Sequence, residues 1–198
     1  LVAVACAACS SSSSRETVVV ASQLLSPLSQ QEDGIVIESA YLSSEELIAE
    51  VVHNSNPFLF WHNEPLMVFR ISVEETTRDI QLFYESFALR FDNALRCPLS
   101  QSRITSYWNT RLRRSRNSRP PTRDPFSGWN SGKVRFNTNL YMIPPSQSIG
   151  TGQSYEGFVV FIGSPPLNDS VILEVPIFTS EGRPVQTYHF EFHPLENR

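Results

Sequence analysis

Apolar residues recur at every second position through much of this chain, and that period constrains the fold more than any other feature. Met67, Phe69, Ile71 and Val73 alternate with Val68, Arg70, Ser72 and Glu74, which turns one set inward and the other outward on a strand with one buried face. The same alternation recurs in Ile80-Leu82-Tyr84, Phe87-Leu89-Phe91, Val134-Phe136-Thr138-Leu140, Val171-Leu173-Val175-Ile177 and Tyr188-Phe190-Phe192. Phe158-Val159-Val160-Phe161-Ile162 is apolar on both sides, the pattern of a central strand. Seven or more short strands separated by Gly, Pro, Asn and Asp turns predict a mainly β fold, an antiparallel sandwich.

One helix is expected before this region. Ser43-Ser44-Glu45-Glu46 has the capping-box spacing: the Ser43 hydroxyl accepts the Glu46 amide while the Glu46 carboxylate reaches back. Leu47, Ile48, Val51 and Val52 supply its apolar face, and Asn54-Ser55-Asn56-Pro57 ends it. The segment 10–34, rich in Ser and Gln and containing Pro27, reads as a flexible tether, with Thr17-Val18-Val19-Val20 as a short strand candidate. One domain, 35–198, follows. With 40% hydrophobic residues the chain of 198 residues buries an ordinary core, and it contains no run of eighteen apolar residues able to span a bilayer.

The first nine residues read as a signal and lipid-attachment segment. Leu-Val-Ala-Val-Ala-Cys6-Ala-Ala-Cys9 followed by Ser10 to Ser14 is a short apolar run that stops at a cysteine and passes into a polar stretch. It resembles the lipobox of bacterial lipoproteins. The resemblance implies Ala3, Val4 and Ala5 as the small residues before cleavage and Cys6 as the acylated residue, with Cys9 the second candidate. Several acyl chains would anchor the protein stably to a membrane, where one would hold only marginally. Neither Ala7 nor Ser10 is the aspartate that retains many such proteins at an inner membrane, so the resemblance points to the outer membrane of a bacterial cell envelope, on its periplasmic or surface face. No charged, Met-initiated region precedes the apolar run, so a truncated front is expected. Cys97 either bridges to Cys9 or is a small buried hydrophobe within Leu95-Arg96-Cys97-Pro98-Leu99.

Ile143-Pro144-Pro145, then Gly152-Gln153-Ser154-Tyr155-Glu156-Gly157-Phe158-Val159-Val160-Phe161, then Asp169-Ser170-Val171-Ile172-Leu173 look like the late strands of immunoglobulin-like domains of secreted bacterial proteins and lipoproteins, the telokin-like group among them. The resemblance covers about the last third of the chain. It implies an immunoglobulin-like sandwich and leaves function open, because such sandwiches serve binding, structural and enzymatic roles.

A formal net charge of -4 hides an uneven distribution. Arg103, Arg111, Arg113, Arg114, Arg116, Arg119 and Arg123 fall in one acid-free segment, interleaved with Tyr107 and Trp108 and followed by Phe126 and Trp129. This reads as a long basic loop with an anion-binding surface formed by Arg111, Arg113, Arg114, Arg116, Arg119, Trp108 and Trp129. The alternative is a solvated loop whose two tryptophans are pinned into the core. Lys133 is the only lysine, so the arginine preference also fits genomic composition.

His189, Glu191 and His193 project from one face of a strand while Phe190 and Phe192 enter the core. Two imidazoles two positions apart suit a metal, yet a straight row along about 14 Å of strand does not converge on one ion. A polar outer face is the expected reading, without metal or other cofactor. Gly150-Thr151-Gly152 lacks the lysine and helix of a phosphate loop, and Ser154 lacks the context of a nucleophile elbow. Phe58, Phe60 and Trp61 read as core rather than a contact patch. The expected function is a binding or structural envelope lipoprotein, a subunit of a larger assembly whose partner is a protein or an anionic envelope polymer. The class-distinct alternative is a metal-dependent or carbohydrate-active periplasmic enzyme. The export signal argues against nucleic acid.

Overall fold

The computed structural model describes residues 28–51, 56–61, 64–91, 94–117, 129–164 and 169–193. In chain order the elements are β1 (Leu28–Glu32), β2 (Ile35–Leu42), α1 (Ser44–Glu50), β3 (Phe60–Trp61), β4 (Glu64–Thr76), β5 (Ile80–Phe83), β6 (Ala88–Phe91) and β7 (Ala94–Arg96). Then come α2 (Gln101–Asn117), α3 (Ser131–Tyr141), β8 (Ser146–Ile149), β9 (Tyr155–Ile162), β10 (Val171–Thr179) and β11 (Pro184–Phe192). All ladders between these strands are antiparallel, in two sheets.

The first sheet is built around the long β4, which pairs with β2, β3 and β9, while β1 extends it beyond β2. In the second, β11 runs along one edge of β10, so β5 and β6 share the other edge end to end. β8 and β7 flank them. The inward residues of both sheets follow the period-two pattern. Met67, Phe69, Ile71 and Val73 meet Leu173, Val175, Ile177, Phe190 and Phe192 in one continuous core, and the Phe69 ring lies 5.2 Å from Phe192 and 6.1 Å from Phe161. The sheets are also tied laterally. The Gln30 amide donates to the His189 carbonyl at 2.6 Å, and the Tyr188 hydroxyl donates to the Glu32 carbonyl at 3.1 Å.

Several expectations are corrected. Leu28–Glu32, assigned to the tether, is a strand paired to β2 through a two-residue turn at Asp33-Gly34, both with positive φ. That is the hairpin geometry whose twist suits flanking strands. Val134-Phe136-Thr138-Leu140 is not a strand but part of α3. Asn130 caps it by accepting the Lys133 amide at 2.8 Å, and the buried set is Val134, Asn137 and Thr138, spaced for a helix. β9 is not central, since β4 is its one partner among the described strands. Its other edge is satisfied by connecting chain: Leu99 N–H donates to Val160 C=O at 2.7 Å and Ile143 N–H to Phe158 C=O at 3.0 Å. Cys97 is exposed, not buried; Cys6, Cys9 and residues 17–20 lie outside the described residues.

Among the described residues there are three α-helices, not one. Helix α1 carries the expected capping box: the Ser43 amide donates to Glu46 at 2.7 Å, and the Glu46 amide donates to the Ser43 hydroxyl. The Asn56 side chain donates to the Leu47 carbonyl at 2.8 Å, adding a second donor to an oxygen that also accepts the Val51 amide at 3.1 Å at the end of α1. Phe58 is fully buried, in keeping with the core reading, and packs on Tyr141 and Phe158. The side chains of Phe60 and Trp61 lie outside the described residues. The end of α3 therefore lies against the first sheet at Phe158, on which the Tyr141 ring stacks at 5.3 Å.

Candidate functional site

The segment expected to be a basic loop is helical over Gln101–Asn117. Ile104, Trp108 and Leu112 fall at positions i, i+4 and i+8, one side of a helix, and all three are buried. Burying them requires the helix. Ser100 begins it, its carbonyl accepting the Ile104 amide at 3.1 Å and its hydroxyl the Arg103 amide at 3.4 Å. Just upstream, the Tyr84 hydroxyl donates to the Leu99 carbonyl at 3.0 Å and accepts the Val160 amide at 3.1 Å. Burial pushes this phenol well above its ordinary pKa, although the Val160 hydrogen bond pulls the other way. The entry to α2 is thus fixed to β9.

Trp108 was expected at a partner surface, and the structure corrects this. Its ring is fully buried, its indole N–H donates to the Pro57 carbonyl at 3.2 Å, and Trp129 lies against it at 4.6 Å. Trp108 is a pin, because an indole buried with its N–H satisfied contributes more than one left at the surface. Trp129 is only partly buried. Opposite this seam, Ser102, Arg103, Ser106, Thr110 and Arg113 are exposed. Arg111 is intermediate, its guanidinium donating to the Tyr107 hydroxyl at 2.9 Å. Arg114 and Arg116 lie in the last turn of α2; Arg119 lies outside the described residues.

The charge asymmetry extends beyond this helix. Residues 93–155 hold ten of the sixteen cationic residues of the chain and one acidic residue, Asp124. That stretch contains both α2 and α3, which pack on one another, and neither helix contains an acidic residue. A surface with cations and no carboxylates attracts anions over roughly 8 Å at physiological salt.

His189, Glu191 and His193 are all exposed on the outer face of β11, with Phe190 and Phe192 buried beneath. His193 Nε2 stands 3.8 Å from Glu191 Oε1. Among the described residues no group of three His, Cys, Asp or Glu side chains is placed to hold a metal.

A feature not singled out in the sequence is a concavity on the outer face of the first sheet, lined by Glu38, Ala40, Arg70, Ser72 and Glu156. Strand register brings it together: Ser72 pairs with both Glu38 and Glu156. Arg70 is held by Glu50 at 2.9 Å. At about 180 Å³ it is smaller than the clefts of roughly 300–1,000 Å³ that enclose small ligands. These residues lie far apart in sequence, so only the pairing of three strands reveals them.

No protein-family model matches this chain, and no curated protein matches it. No helix among the described residues is long and apolar enough to cross a membrane.

Proposed function

We propose that this protein is a binding or structural component of a bacterial cell envelope, anchored through a lipid on Cys6, that holds an anionic partner on the outward face of α2. The observation that carries the reading is the orientation of that helix. Ile104, Trp108 and Leu112 are buried while Arg103 and Arg113 are exposed, so the acid-free helix offers its charge to a partner and its apolar seam to the fold. Such a face accelerates and selects association more than it stabilises the domain. The partner class is an anionic envelope polymer or an acidic protein surface.

Binding to soluble polyphosphate tests the anionic face. Replacing Arg103, Arg113, Arg114 and Arg116 by Gln keeps helix propensity and leaves Arg111 on Tyr107. The substituted chain is expected to bind polyphosphate at least about tenfold more weakly with an unchanged melting temperature. Unchanged binding, or none by the native chain, contradicts the reading. The anchor is tested separately by intact mass: a mature protein from its native host without added lipid mass on Cys6 or Cys9 refutes it.

A further inference from the structure

Helix α3 turns outward an unusual combination of side chains. Phe136 and Leu140, one turn apart, are 52% and 55% exposed, whereas Val134, Asn137 and Thr138 are buried. Lys133 and Arg135 are exposed on the same helix. Single exposed apolar residues are ordinary on any protein. Two large ones in one helical stripe, accompanied by cations and adjoining a second acid-free helix, have the composition of a membrane-interfacial face.

We propose that the α2–α3 pair docks directly on an anionic lipid bilayer. Phe136 and Leu140 enter the headgroup layer, and Arg103, Arg113, Lys133 and Arg135 meet lipid phosphates. This rests on the anionic-partner reading above and narrows that partner to lipid. Charge complementarity favours any anion, but a purely ionic polymer pairs only the cations and gains nothing from the two apolar side chains. A bilayer engages both, because its surface charge attracts basic residues and its acyl boundary accepts apolar ones. The face is confined to these helices, since α1 carries Glu45, Glu46 and Glu50. Docking of this kind is separate from a lipid anchor at Cys6, and one weak membrane contact gains retention when a second is present.

The test uses the full chain without acylation, sedimented with vesicles of phosphatidylglycerol and phosphatidylcholine in equal parts, and with phosphatidylcholine alone. The native chain is expected to bind the anionic vesicles and not the zwitterionic ones. Phe136→Ser with Leu140→Ser is expected to weaken vesicle binding by about tenfold or more, with polyphosphate binding and melting temperature unchanged. The variant shares the same apolar first nine residues, so insertion by that segment does not mimic the result. Leu140→Gln alone, with a smaller loss of the same sign, serves if the double variant loses helicity. Equal vesicle binding by native and substituted chains overturns lipid docking, and retained polyphosphate binding then leaves the anionic-partner reading intact. Binding to polyglutamate with vesicles ignored also overturns it and assigns the face to an acidic protein. Failure to bind polyphosphate as well as vesicles overturns both.

Discussion

The indole N–H of Trp108 donates to the carbonyl of Pro57 at 3.2 Å, joining the middle of α2 to the chain segment that carries Phe58 into the core. This bond, with the ring itself fully buried, decides which side of the helix faces solvent. A rotation of α2 that turned the arginines inward would bury guanidinium groups and expose the indole, both unfavourable.

Trp108→Phe is therefore expected to lower stability by about 1–3 kcal/mol, through a lost hydrogen bond and a smaller ring. Trp108→Ala is expected to cost about 3–5 kcal/mol. Urea unfolding followed by circular dichroism measures both. A variant as stable as the native chain would show that the tryptophan is not the pin described.

Gly157 allows the chain leaving α3 to lie against β9. A Cβ there would stand 2.8 Å from the Ile143 Cγ1 atom and 3.3 Å from the Ile143 amide nitrogen, and Ile143 is fully buried. Gly157→Ala is expected to cost about 1–3 kcal/mol by forcing these segments apart. Faster exchange of the Ile143 amide, which donates to Phe158, is the accompanying sign. Unaltered exchange and stability would contradict the close approach.

Burial raises the phenol pKa of Tyr41 to about 12, with the Glu46 charge adding to it, and burial alone raises Tyr155 to about 12. Tyr84 and Tyr188 shift the same way, burial again being the main cause. A phenol that holds its proton more tightly when folded gives stability that is complete below its unfolded pKa of about 10 and is lost as pH rises through the folded value. Ultraviolet titration at about pH 11 is expected to show much less tyrosinate in the folded chain than in the urea-unfolded one. Equal ionisation would contradict the burial of these rings.

The sandwich was legible because its inward residues obey a strict period of two: Val171, Leu173, Val175 and Ile177 are all fully buried. What hid α3 is that Val134, Phe136, Thr138 and Leu140 alternate as a strand would, while Val134, Asn137, Thr138 and Tyr141 give the helical spacing. The helical set won, and Phe136 and Leu140 were left outside. In α2 the spacing of Ile104, Trp108 and Leu112 was readable but was outweighed by the density of arginine. The first hairpin was missed although Asp33-Gly34 is its turn signal. Gly34 has a φ of +72° and lies so close to Thr77 that a Cβ would clash. Of the candidate surface, its charge was visible in the sequence; that it stands on a pinned helix, and that Trp108 faces away from it, depended on packing.

The most direct test of the central claim is the salt dependence of polyphosphate binding by the native chain and by Arg103→Gln with Arg113→Gln. Each cation that contacts the polyanion releases counterions, so log affinity falls linearly with log salt. The native chain is expected to show a steep negative slope, and the double variant a slope shallower by about one to two at an unchanged melting temperature. Identical slopes, or affinity independent of salt, would contradict the assignment of α2 as the face that holds an anionic partner.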